Sequence, residues 1–325
     1  MKDKNPKISV IIVTYNRPDS LSSAIESVLN QTYQNFELIV VDNGVEIPAK
    51  KIVESFDDTR IRYIQNDRNT DCAGGKNIGM KNAKGEFIAI LDDDDVWFPE
   101  KLELQIEAFQ KNPEAGFCFT AVNQVFDHGA KDSIVPDGMD NYYERALSKF
   151  SGFLSITLMI RKSVIDDIGY MDEAFPSHTD IEWIIRIAKK YKGIGINKPL
   201  ARVMSLGGHQ QMGSSMDRKI KGRIMILDKF KEEFEKRPKV LAKHLLMLGK
   251  FYRNDGQYKK AKAVFKKVCK IYPVRKQAMT CREFFNGMNF KISIFAHYLS
   301  MYFNGFVYKL FRILKAKKFP KTKNI

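Results

Sequence analysis

Cysteine is scarce in this chain, with four in 325 residues (Cys72, Cys118, Cys269 and Cys281). Their spacing fits neither a zinc site nor a disulfide framework, so a reducing compartment is the default expectation. Glycine-rich phosphate loops are missing as well. No G-x-G-x-x-G follows the first apolar run, and no G-x-x-x-x-G-K-[ST] occurs anywhere. That argues against a dinucleotide oxidoreductase and a P-loop NTPase, so phosphate handling falls to metal rather than to backbone amides. The opening residues, Met1-Lys2-Asp3-Lys4-Asn5-Pro6, do not read as a signal peptide. Acidic residues run short late in the chain. Residues 217–325 hold 29 Lys+Arg against 7 Asp+Glu, while the first 216 hold 25 against 31. The late part is therefore expected to face an anionic partner, membrane or nucleic acid, and the early part a different one.

The first hundred residues alternate strand and helix signals. Ile8 to Val13 is a near-continuous apolar run, the pattern of a parallel strand buried on both faces. Pro18-Asp19-Ser20 then opens a helix with apolar positions at Leu21, Ala24, Ile25, Val28 and Leu29. Strand signals recur at Phe36–Val41, Arg60–Ile64 and Phe87–Leu91, with helical stretches near 48–56 and from Cys72 to Asn82 between them. This order predicts an α/β, doubly wound sheet with right-handed crossovers.

Four aspartates in a row, Asp92 to Asp95, end the last of these strands. In open α/β sheets that edge is where ligands bind. Carboxylates crowded there either protonate in part or hold a cation, and hard oxygen ligands suit Mg²⁺ or Mn²⁺. The plainer reading is a solvated acidic turn ahead of the helix near Pro99. Two further strand ends carry polar signatures, Thr14-Tyr15-Asn16-Arg17 and Asp42-Asn43-Gly44. Tyr15 is suited to stack on a base and Asp42 to accept a hydrogen bond from a base NH.

On these residues the chain resembles a family 2 glycosyltransferase of the GT-A fold, of the bacterial surface-polysaccharide type. The resemblance rests on Val10-Ile11-Ile12-Val13-Thr14-Tyr15-Asn16-Arg17-Pro18, on Ser27-Val28-Leu29-Asn30-Gln31-Thr32, on Asn35 to Asp42, and on Ala83 to Asp95. It implies a Rossmann-like mixed sheet, a nucleotide-sugar donor (usually a UDP-sugar) and Mn²⁺ or Mg²⁺ at a DxD motif. Thr14, Tyr15, Asn16, Asp42, Asp92 and Asp93 would bind the donor, with Asp42 on uracil and Asp92 or Asp93 on the ribose. Asp94 would hold the metal. The chain departs from the family at Asn43, usually an acid, at the residue after Gly44, usually Ser, and at Gly75-Lys76-Asn77, often Ala-Arg-Asn. Lys76 keeps the charge without the planar fork of arginine.

Inverting transfer needs a general base for the acceptor hydroxyl. Residues 176–188 read Pro-Ser-His-Thr-Asp-Ile-Glu-Trp-Ile-Ile-Arg-Ile-Ala, with helical apolar spacing after Asp180. Thr179 or Asp180 would serve as an N-cap. The segment is also similar to the family's Glu-Asp motif, with Thr179 in place of Glu. That likeness assigns the base to Asp180 and an acceptor-side or supporting role to Glu182. The glycine-rich stretch 199–215 contains His209, which the likeness places on the diphosphate or metal. His178 reads as a loop residue near the acceptor. The family's processive members carry Q-x-x-R-W and several membrane spans, both missing here, so one sugar or a short run is expected.

Two domains are expected, 1–216 catalytic and 217–325 basic and helical. A helix over Lys219–Lys236 would end at Pro238. The spacing from Leu248 to Pro273 resembles one tetratricopeptide helix pair. Phe290 to Phe311 is aromatic-rich, but His297, Ser300, Asn304 and Lys309 interrupt it. An interfacial helix drawn to anionic lipid fits better than a span, and an amphipathic helix covering the local core is the plainer alternative. The expected activity is a metal-dependent, inverting hexosyl- or N-acetylhexosaminyltransferase acting on a glycan acceptor, a lipid-linked one by the resemblance. It would work in the cytoplasm, at the inner face of the membrane. The competing reading is a non-catalytic nucleotide or nucleic-acid binding protein using its basic half. The acidic region in front weighs against it, so no nucleic-acid partner is expected.

Overall fold

The computed structural model describes residues 6–44, 49–148, 153–204 and 215–271. Three parallel strands form its first edge: β1 (Ile8–Thr14), β2 (Phe36–Asp42) and β3 (Ile61–Gln65). β4 (Phe87–Asp92) lies parallel on the other side of β1, then turns directly into the two-residue β5 (Val96–Trp97). The sheet is completed by β6 (Phe117–Phe126), β7 (Gly129–Asp132), β8 (Gly138–Asp140), β9 (Met159–Arg161) and β10 (Gly193–Met204). Its order is β3-β2-β1-β4-β9-β6-β10-β5, with β7 on β6 and β8 on β10. β9 runs antiparallel between β4 and β6, so the sheet is mixed.

The helices interleaved with these strands are α1 (Pro18–Leu29), α2 (Lys50–Glu54), α3 (Asp71–Asn82), α4 (Lys101–Lys111), α5 (Tyr143–Ser148), α6 (Lys162–Ile168) and α7 (Thr179–Lys190). A 3₁₀ turn at Ser155–Thr157 precedes β9. The sheet divides the core by side-chain alternation. Ile11, Val13, Ile39 and Val41 join one apolar cluster with Trp183, Ile184 and Phe175. Val10, Ile12, Leu38 and Val40 join the other with Leu21, Ile25, Leu102 and Phe109. Such two-sided burial is why β1 and β2 read as unbroken apolar runs. α3 sits on β1 through glycine. A Cβ on Gly79 would lie 2.4 Å from Cγ2 of Ile11, so this close approach depends on the missing side chain.

The C-terminal helices begin with α8 (Met216–Lys229), α9 (Lys231–Glu235), α10 (Pro238–Asn254) and α11 (Tyr258–Ile271). The helix expected to run unbroken to Pro238 is interrupted at Phe230. Pro238 starts α10 at its first turn, where its missing N–H costs nothing. A division at residue 216/217 is not where the packing divides. One compact unit spans Met1–Val264, and Phe265–Ile325 is the second. Ile226 of α8, Phe234 of α9 and Phe230 between them belong to the same apolar cluster as Trp183 and Leu147, so these helices complete the core of the first unit. α10 and α11 occupy the place of the expected helix pair. Among the described residues no helix is long and apolar enough to cross a membrane. Phe290–Phe311 lies outside them.

Candidate active site

Strand register brings the three polar strand ends side by side. Thr14 pairs with Asp42 and Val13 with Asp92. Beyond Asp92 the chain makes a tight turn, closed by the Asp95 N–H donating to the Asp92 carbonyl at 3.2 Å, with Asp93 and Asp94 at its tip. Two adjoining clefts open here. The smaller, about 230 Å³, is lined by Asp92 to Asp95, Arg17, Ser155 and Asp180 among others. The larger, about 680 Å³, shares Arg17, Cys72, Asp92, Ser155 and Asp180 and extends past Tyr15, Asn16, Lys76, His178 and Arg218.

Each aspartate has its own partner. Asp92 pairs with Lys76 at 2.7 Å, and Lys76 also donates to the Ser155 hydroxyl at 2.9 Å. Burial works against the charge of Lys76, but Asp92, Cys72 and Asp180 outweigh it and hold the ammonium above the usual lysine range. Asp93 accepts from the Thr14 hydroxyl at 2.8 Å and from Arg17 at 3.4 Å. Asp94 takes Arg17 at 2.9 Å. Asp95 accepts from the Met204 N–H at 3.2 Å. Burial pushes Asp93 up to about 6, with Thr14 and Arg17 pulling back, and Asp95 up to about 8, with Asp92 and Asp94 adding repulsion.

Asp180 stands in the first turn of α7, half-buried, its Oδ1 accepting from the Ile181 N–H at 2.9 Å. Burial raises its carboxyl above the ordinary range, and Lys76 pulls it back. The chain reaches it through His178, which is held in the left-handed region at φ 66° and bonds Ser177 at 2.9 Å. Burial, then Arg223 and Lys219, push His178 down to about 3, so its ring is neutral beside the cleft. α8 reaches the same wall. Arg218 donates to the Pro176 carbonyl at 2.9 Å and pairs with Asp71 at 2.9 Å.

The expected site residues do not all line the clefts. Asp42 lines neither cleft. It is fully buried, with Oδ1 accepting from the Gly44 N–H at 2.9 Å and Oδ2 from the Ala49 N–H and the Tyr63 hydroxyl, each at 2.7 Å. In this arrangement it clamps the β2 end. Thr14 is likewise buried and supports Asp93 from below, while Tyr15 and Asn16 do line the larger cleft. Glu182 lines neither cleft. Two residues along a helix turn about 200°, so with Asp180 on the cleft Glu182 must face the core. There it is 0% exposed and bonded to Arg186 at 2.6 and 3.0 Å and to Lys229 at 2.9 Å. His209 lies outside the described residues. Ser155, Cys72 and Arg218 reach the site through tertiary packing and carry no local signal. Arg17, inside the first motif, could have been flagged as a cation two residues from Tyr15 at the same strand tip.

Among the described residues no three His, Cys, Asp or Glu side chains form a metal cage by themselves. Mg²⁺ and Mn²⁺ commonly use one or two carboxylates plus substrate phosphates and water, and the partly exposed Asp94 at the turn tip fits that role. The raised Asp93 and Asp95 mark surplus negative charge that a cation would relieve.

A mixed sheet carrying an acid-tipped strand beside a downstream carboxylate is the architecture of the GT-A fold, and comparison with known proteins specifies the family. The model of glycosyl transferase family 2 matches residues 9–169. An uncharacterised glycosyltransferase of Methanocaldococcus jannaschii is 31% identical over 196 residues, 58% of this chain and 67% of that protein. The chain belongs to glycosyl transferase family 2 and is a transferase enzyme. It is 42% identical over 105 residues to the Escherichia coli UDP-Glc:alpha-D-GlcNAc-diphosphoundecaprenol beta-1,3-glucosyltransferase WfgD, covering 32% of this chain and 42% of that enzyme. The chain thus spans less than half of WfgD. The crystal structure of S. aureus TarS 1-349 in complex with UDP-GlcNAc superposes with a TM-score of 0.62 at 20% identity, covering 82% of this chain and 81% of that one. At that identity the likeness concerns the fold.

Proposed function

We propose that this transferase moves a sugar from a UDP-sugar to a hydroxyl of a lipid-linked glycan, with inversion, in surface polysaccharide synthesis. The observation that carries the reading is that Asp180, 88 residues beyond Asp92, opens on the same two clefts as Asp92. Asp180 takes the proton of the acceptor hydroxyl as its oxygen attacks the anomeric carbon. The bond from that carbon to the diphosphate breaks, and UDP leaves with the electron pair. Burial suits Asp180 to the task, since a raised carboxyl is a stronger base. Lys76 holds Asp92 in place. Asp94 would hold a divalent cation, which would supply Lewis acidity for departure of UDP. The UDP choice draws on WfgD, whose name gives UDP-Glc as donor and a diphosphoundecaprenol acceptor, and on TarS, crystallised with UDP-GlcNAc. The basic residues after 216 favour an anionic membrane surface, where a lipid-linked acceptor resides.

The test is the melting temperature of the full chain with nucleoside diphosphates, with and without Mn²⁺ or Mg²⁺. A ligand that binds only the folded form raises it by mass action. Metal-dependent stabilisation by UDP, absent in Asp94→Asn, is expected. Stabilisation by single-stranded nucleic acid instead, falling with salt, would favour the non-catalytic reading.

A further inference from the structure

Five carboxylates, Asp92 to Asp95 and Asp180, crowd this edge, and two basic side chains answer them in different ways. Lys76 is 5% exposed and locked between Asp92 and Ser155. Arg17 is 24% exposed and spans Asp93 and Asp94 from the cleft wall. Its direction is set by the backbone. Asn16 is left-handed at φ 52°, turning the chain back over the strand tips, and Arg17 then caps α1. Gly44 leaves room for that turn, since a Cβ there would lie 2.4 Å from Asn16 Oδ1. The guanidinium therefore occupies the Asp94 position that a divalent cation would need.

We propose that Arg17 is a place-holding cation: it neutralises Asp94 in the empty enzyme, is released from it when a divalent cation arrives, and then binds the donor's diphosphate. This rests on the donor reading above. Its consequence is a built-in order. Metal alone must displace a positive charge from Asp94, which weakens its binding. Metal with a nucleoside diphosphate offers Arg17 a new anionic partner, whose paired phosphate oxygens its planar fork can take bidentately. Each ligand thus strengthens the other, and by linkage the factor is reciprocal. Arg17 would then act on the metal without touching it, through Asp94, and on the diphosphate by direct contact.

The experiment is titration calorimetry with Mn²⁺ alone, UDP alone and UDP at saturating Mn²⁺, on wild type, Arg17→Met, Arg17→Lys and Asp94→Asn. Circular dichroism checks that each is folded. Arg17→Met is expected to bind Mn²⁺ alone up to about fivefold more tightly than wild type, and UDP with Mn²⁺ more weakly. Arg17→Lys keeps the charge and should lie close to wild type for Mn²⁺ alone. Asp94→Asn should lose Mn²⁺ binding. If wild type binds UDP with Mn²⁺ but Arg17→Met shows unchanged or weaker affinity for Mn²⁺ alone, the place-holder role is overturned and the donor reading stands. A wild type that binds no UDP under any condition overturns both.

Discussion

The acidic rim at the ends of β1, β2 and β4 and the back wall built by α7 and α8 meet at one cleft, yet they treat charge differently. On the rim, carboxylates outnumber cations, and burial drives Asp93 and Asp95 toward the neutral form. On the back wall, Glu182 is as buried as any residue in the protein, but two cations, Arg186 and Lys229, saturate it. Surplus charge is open to a ligand; matched charge holds a helix in place. Asp180 and Glu182, two residues apart on α7, fall on opposite sides of that divide.

Substitutions can break the comparison. The largest effect is expected on the rim. Asp94→Asn should reduce turnover by about a thousandfold, in line with the several kcal/mol that a metal's charge is worth, while the melting temperature of the unliganded protein holds. Asp180→Asn should lower kcat on the order of 10²- to 10⁴-fold, again with the fold retained. Glu182→Gln should do the reverse. Removing one partner of a buried ion pair costs about 3–5 kcal/mol, so denaturant unfolding should show a large loss of stability with turnover per folded molecule little changed. A catalytic collapse in Glu182→Gln without loss of stability would erase the distinction between the two acids.

Two smaller effects would sharpen it. Lys76 pulls Asp180 down against burial, so Lys76→Met should move the acid limb of the kcat/KM profile to higher pH. An unmoved limb would detach Lys76 from the base. Lys101 offers a reference from the opposite face of the sheet. It is fully buried over the Trp97 ring at 3.9 Å, and burial pushes it down to about 7. Unfolded, it titrates near about 10.4, so between these values the unfolded chain binds more protons and stability rises with pH. The Lys101 contribution is complete above the unfolded value and is lost as pH falls through about 7. Lys101→Met should therefore flatten the stability curve between pH 7 and pH 10, by at most about 1.4 kcal/mol per pH unit, as read from denaturant midpoints.

What the sequence by itself determined about this protein was the parallel core and the strand tips. Unbroken apolar runs at Ile8–Val13, Phe36–Val41 and Phe87–Leu91 are two-sided strands, and residues directly after such strands must gather at one sheet edge. That sufficed to set Tyr15, Asn16 and Asp92 to Asp95 around a common cleft, and the helical spacing after Asp180 located the start of α7. Tertiary structure alone decided which polar groups face that cleft. Asp42 sits at a strand tip like Asp92, yet the Gly44 and Ala49 amides and Tyr63 turn it into a clamp. The basic helices looked like a separate domain, but Ile226, Phe230 and Phe234 seal the first unit's core and α8 delivers Arg218 to the cleft. A strand tip's position follows from local pattern and register. Whether its carboxylate is satisfied depends on donors brought from distant segments by packing, and no local pattern records them.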